Sequence, residues 1–165
     1  MKRIALLGMP NTGKSTLFNR LTGASAKVGN WPGVTVDLLS AKVLLGTQTV
    51  EIVDLPGIYN LHGFAEDERV ARRFLEDNPV DLLLVITNST QLDRQLALVM
   101  QLQELKLPVL LLLGTRDPLV GDAAKAARRA SDLPDLRVET LESSHLVAVE
   151  RADEVNALMV AFLRR

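Results

Sequence analysis

Cysteine is absent from this chain, and histidine occurs only twice, at His62 and His145. Disulfides, thiolate metal sites and cysteine nucleophiles are therefore excluded together, and a multi-histidine metal centre has too few ligands. Aromatic residues are scarce, at 4%, with a single tryptophan, Trp31. An excess of one charge is also missing: 19 Lys+Arg against 20 Asp+Glu leave a net charge of -1. No bulk field draws the chain to nucleic acid or to an anionic membrane. Long apolar runs are lacking too. The longest, from Leu107 to Leu113, is far below the roughly 20 residues of a membrane span. The apolar start from Ile4 to Leu7 is too short for a signal peptide and is soon interrupted by Gly13-Lys14, so a cytoplasmic location is expected. What remains is ordinary: 165 residues with 47% hydrophobic content, enough for one globular domain with a core of its own.

Short apolar runs alternate with longer amphipathic segments. Arg3–Gly8, Asp81–Ile86, Pro108–Gly114 and Leu136–Leu141 read as strands. Lys14–Leu21, Glu66–Asp77, Gln91–Leu105, Asp122–Ser131 and Arg151–Leu163 read as helices. Val36–Leu45 and Gln48–Asp54, joined at Gly46-Thr47, read as an antiparallel hairpin. Strands that are apolar throughout and separated by helices predict a sheet covered on both faces. The expected fold is a three-layer α/β domain over residues 1–165, with a mostly parallel sheet and one antiparallel edge strand.

Between the first strand and the first helix stands Gly8-Met9-Pro10-Asn11-Thr12-Gly13-Lys14-Ser15, followed by Thr16. It fits the phosphate-loop pattern G-x-x-x-x-G-K-[ST] in full. Glycines let the backbone wrap close to a phosphate, and the N–H groups of Asn11, Thr12 and Gly13 and of the helix start point at the anion. Lys14 supplies a compact positive charge, and the Ser15 hydroxyl suits Mg²⁺. About forty residues on, Asp54-Leu55-Pro56-Gly57 ends a strand. It reads either as a plain turn or as a Mg²⁺-binding carboxylate followed by an N–H for a terminal phosphate. Between the two lies the glycine-rich stretch Gly29-Asn30-Trp31-Pro32-Gly33-Val34-Thr35-Val36. Its Thr35 is placed to complete a metal shell. Trp31 has two readings, a mobile loop residue or a side chain packed on a neighbouring helix.

Asn30–Thr35 and Asp54-Leu55-Pro56-Gly57-Ile58-Tyr59-Asn60-Leu61, with the phosphate loop, resemble the cytoplasmic G domain of FeoB-type ferrous-iron transporters. The likeness runs from Met1 to about Leu105 and implies a P-loop NTPase-like (Ras-like) fold. It implies binding of GTP or GDP with Mg²⁺ held by Ser15, Thr35 and Asp54, with Gly57 beside the terminal phosphate. It also implies a K⁺ ion near Asn11. Ile58 stands where many GTPases carry a water-orienting glutamine, so slow hydrolysis is expected. Glu66, Asp67 and Glu68 are an acidic first turn favoured by the helix dipole, although the resemblance links that stretch to iron sensing. His62 reads as a solvated loop residue.

The likeness changes character near Leu105. A guanine-reading N-x-x-D is expected after the next strand, but Gly114-Thr115-Arg116-Asp117 stands there. Asp117 remains to read the base. Leu107–Val120 and Ser144–Val155 resemble the late strand, acid loop and histidine loop of α/β-hydrolases, with Asp117 as triad acid and His145 as base. No G-x-S-x-G elbow supplies the nucleophile, so an esterase lacks its serine. These two resemblances predict a chimera, engineered from a GTPase-like segment 1–105 and a hydrolase-like segment 106–165. Two functions then compete: weak guanine-nucleotide binding and hydrolysis, or a folded scaffold without selected activity.

Overall fold

The computed structural model describes residues 1–87, 92–114, 136–143 and 150–164. The helix expected over Asp122–Ser131, and the site residues Asp117, Ser144 and His145, lie outside the described residues.

Among the described residues seven strands form one sheet: β1 Lys2–Gly8, β2 Lys27–Gly29, β3 Leu38–Leu45, β4 Gln48–Asp54, β5 Leu82–Ile86, β6 Val109–Gly114 and β7 Leu136–Leu141, in spatial order β2-β3-β4-β1-β5-β6-β7. Helices α1 Lys14–Thr22, α2 Glu66–Asp77, α3 Leu92–Gln103 and α4 Ala152–Leu163 cover it. From β4 across to β7 every pairing is parallel. The hairpin between β3 and β4 is antiparallel, with Leu45 opposite Gln48. One detail differs from expectation. The reversed strand β3 does not form the edge, because the three-residue β2 adds antiparallel outside it. Lys27-Val28-Gly29 is too short to show a two-residue alternation, so no strand was legible there.

The two-residue period of the strands sorts the core into two faces. Ala5, Leu7, Val53, Leu83, Val85, Val109 and Leu111 join α2 and α3 on one face. Ile4, Leu6, Ile52, Leu84, Ile86, Leu110 and Leu112 join Leu17 and Phe18 of α1 and Val155, Met159 and Leu163 of α4 on the other. Strands buried on both faces must read as unbroken apolar runs, which is why β5 and β6 are almost wholly leucine, valine and isoleucine. Along α2, Val70, Ala71, Phe74 and Leu75 form the buried stripe, and its first turn is acidic. Among the described residues no helix is long and apolar enough to cross a membrane.

Candidate functional site

β1 is the central strand from which neighbours run outward in both directions, β4 on one side and β5 on the other. At such a switch point the loops leaving the carboxyl ends of strands separate and open a crevice. The β1–α1 loop lies there. Gly8 is pressed against β5 so closely that a Cβ would sit 2.4 Å from the Ile86 carbonyl oxygen, so no side chain is admissible. Asn11 (φ 64) and Gly13 (φ 83) are left-handed, the backbone type that turns successive N–H groups towards one point. The buried Thr12 closes the loop by donating its hydroxyl to the Met9 carbonyl at 3.0 Å. α1 starts at once, with Leu17 N–H donating to Gly13 at 3.0 Å.

An open cleft of about 370 Å³ lies over this loop. Asn11, Thr12, Gly13, Lys14, Ser15 and Thr16 line its floor, and Gly57 stands at its side. The Asp54–Gly57 segment is stitched to the phosphate loop by backbone bonds, Leu55 N–H to Leu6 at 3.1 Å and Ile58 N–H to Gly8 at 3.0 Å. Asp54 pairs with the Lys14 ammonium, and the two side chains are 9% and 10% exposed. The Ser15 hydroxyl donates to the second Asp54 oxygen at 3.3 Å. A hydroxyl and a carboxylate meeting at one corner are the hard oxygen donors that Mg²⁺ prefers, so the residues present fit that ion. The same carboxylate balances Lys14, which would otherwise be a buried charge without a partner.

The structure places three further segments that the sequence singles out. Thr35 lines a second cleft, of about 200 Å³, with Gly33, Glu66, Arg69, Val70 and Arg73, and is not among the residues lining the phosphate cleft. Trp31 is packed rather than free: its ring meets Phe74 of α2 edge-on, with centroids 5.0 Å apart. The acidic turn of α2 is dispersed. Glu66 faces the Thr35 cleft, Glu68 accepts from the Ala65 N–H at 3.2 Å, and Asp67 lines the phosphate cleft. Among the described residues no group of three metal-binding side chains forms. Asp67 is the site residue that sequence reasoning missed. An acid in a first turn is already explained by the helix dipole, and only the placement of α2 beside Gly57 brings it to the cleft. His62 is exposed and meets Glu104, just past the end of α3, at 3.0 Å. Ile58 is buried among the core residues of the α2–α3 face, pointing away from the cleft.

The family model for ferrous iron transport protein B matches residues 2–156. The chain belongs to this family. It is 54% identical over 116 residues to the Fe(2+) transporter FeoB of Synechocystis, a stretch covering 70% of this chain and 19% of that protein. The chain thus spans under a fifth of the length of that curated relative. Its fold is similar to the crystallised G domain of the T. maritima FeoB iron transporter, with TM-score 0.76, 30% identity and 98% of both chains covered. A point mutant of S. thermophilus NFeoB bound to GDP is similar over 95% of this chain and 62% of that one, with TM-score 0.70 and 34% identity.

These matches correct the expectation of a join near Leu105. The family match crosses that point without a break, and one solved G domain covers nearly the whole chain. The hydrolase resemblance and an engineered chimera find no support. The reason is physical: β6 and β7 extend the parallel sheet from β5, and any interior strand of such a sheet is an apolar run. A run such as Leu107–Leu113 is therefore expected of any interior parallel strand and marks no one family.

Proposed function

We propose that this chain is the G domain of a larger ferrous-iron transporter, binding GTP or GDP with Mg²⁺ over the β1–α1 loop. The observation that carries the reading is the corner where Lys14, Ser15 and Asp54 meet beneath a complete phosphate loop. The backbone from Asn11 to Gly13 and the start of α1 cradle the phosphates. Lys14 exchanges its Asp54 partner for phosphate oxygens. Ser15 and Asp54 hold Mg²⁺, which neutralises phosphate charge when bound, and Thr35 joins them once its segment moves. Gly57 offers its N–H to the terminal phosphate, Asn11 serves a K⁺ ion, and Asp117 reads the guanine edge. Hydrolysis is slow, because Ile58 is apolar and turned into the core and so orients no water. The absence of the companion asparagine at Gly114 removes one base contact, a loss of about 1–3 kcal/mol in discrimination.

Calorimetric titration of nucleotide-free protein with GDP and with ADP, both in Mg²⁺, tests this. GDP binding that exceeds ADP binding and drops about 10- to 100-fold in Lys14→Ala supports it. Equal binding of both would leave a phosphate clamp without base recognition, and no binding by folded protein would overturn the reading.

A further inference from the structure

The segment from Trp31 to Thr35 is moored by contacts that use none of the phosphate-binding groups. The Arg3 guanidinium lies over the Trp31 ring, 4.7 Å from its centroid, and Phe74 meets the same ring edge-on. Arg3 is itself fixed, donating to Glu51 at 3.0 Å and to the Pro79 carbonyl at 2.9 Å. Asn78, just past α2, donates to the Pro32 carbonyl at 3.2 Å. Val34 N–H donates to the Trp31 carbonyl at 3.1 Å, closing a turn with Pro32 and the left-handed Gly33 (φ 76) at its centre. Pro-Gly is the pair that a type II turn selects.

The seat is at the wrong end of the molecule for nucleotide binding. Arg3 stands five residues before Gly8 on β1, or about 16 Å along an extended strand. Phe74 is eight residues down α2 from Glu66, about 12 Å along the helix axis. The closed turn also shortens the tether. With its ends less than 7 Å apart, the Thr35 Cα stays within about 11 Å of the Trp31 Cα. Bringing Thr35 from its cleft to Ser15 and Asp54 therefore pulls against the turn and the ring together. The seat is also imperfect, since the buried Trp31 Nε1–H finds no acceptor among the described residues. Leaving the seat returns that donor to water.

We propose that Trp31, seated between Arg3 and Phe74, is a positioning latch that withholds Thr35 from the Ser15–Asp54 corner, and that Mg²⁺ with a nucleoside triphosphate draws it out. The latch rests on the nucleotide-binding reading above. Its energetic form is a two-state equilibrium: whatever weakens the seated state favours the ligand that needs the released one, and leaves a ligand indifferent to Thr35 unaffected.

Trp31 is the chain's only tryptophan, so intrinsic fluorescence reports on the seat directly. In the full chain with Mg²⁺, GDP should leave acrylamide quenching of Trp31 unchanged. A non-hydrolysable GTP analogue should raise the quenching constant about two-fold and shift emission to the red. Trp31→Ala should raise the ratio of analogue affinity to GDP affinity about five-fold, with GDP affinity itself unchanged. Arg3→Gln keeps the tryptophan and should move the ratio the same way by less, so the test survives if the first variant does not fold. A purely structural role would lower both affinities together. Quenching that stays constant at saturating analogue, or a ratio unmoved in both variants, overturns the latch while leaving GDP binding intact. Wild-type protein that binds neither nucleotide overturns the latch and the underlying reading alike.

Discussion

Two glycine-bearing loops face the same chemistry but are built in opposite ways. The β1–α1 loop is held by its own backbone: left-handed Asn11 and Gly13, a hydroxyl of Thr12 on the Met9 carbonyl, and a helix that begins at Lys14. The segment Gly29–Val36 is held by partners distant in sequence, namely Arg3, Phe74 and Asn78. The first loop takes most of its shape from contacts within its own eight residues. The second stands wherever tertiary packing puts it, and here the exposed Thr35 lines a cleft beside α2. Two segments of one candidate site can thus be held in one case by local and in the other by distant contacts, and their spacing in the sequence does not tell them apart.

The comparison can be broken most severely at Gly8. Gly8→Ala forces a Cβ onto the Ile86 carbonyl, and a cost of about 3 kcal/mol is expected from the backbone shift it demands. Urea unfolding measures it, and a change under 1 kcal/mol would show the loop to be softer than described. Next is the Lys14–Asp54 pair. Lys14→Met strands a mostly buried carboxylate and should cost about 2–3 kcal/mol without nucleotide. Adding Asp54→Asn should recover part of that loss, which a double-mutant cycle isolates. The second loop responds more mildly. Phe74→Leu removes the edge contact to Trp31 and some buried volume, and about 1–2 kcal/mol is expected, with a red-shifted Trp31 emission. The smallest effect belongs to His62→Ala. Its contact with Glu104 is exposed on both sides, so thermal unfolding should change by less than about 0.5 kcal/mol.

Much of the architecture was legible beforehand because it is local. Glu66–Asp77 and Leu136–Leu141 have the predicted boundaries, and the hairpin lies at Gly46-Thr47, where two apolar runs meet a turn pair. The edge strand β2 was not legible, since three residues carry no period and pair only because β3 is there. The apolar strand β6 identifies no family for the opposite reason: its pattern is too general, since burial on both faces imposes it on any interior parallel strand.

Taken by itself, the sequence determined the turn of the phosphate loop, because it rests on the left-handed backbone of Asn11 and Gly13 within eight residues. It also determined the mostly parallel sheet, because burial on both faces leaves no alternative to continuous apolar strands. Only the tertiary structure decided the rest. The placement of α2 brings Asp67 to the cleft and Glu66 away from it. The core takes up the Ile58 side chain. The seat formed by Arg3 and Phe74 decides where Trp31 rests, and through a four-residue turn it decides how far Thr35 can reach. Such contacts join residues far apart in the chain, 76 positions in the Arg3–Pro79 hydrogen bond that fixes the seat, and no local pattern encodes a meeting that the fold itself brings about.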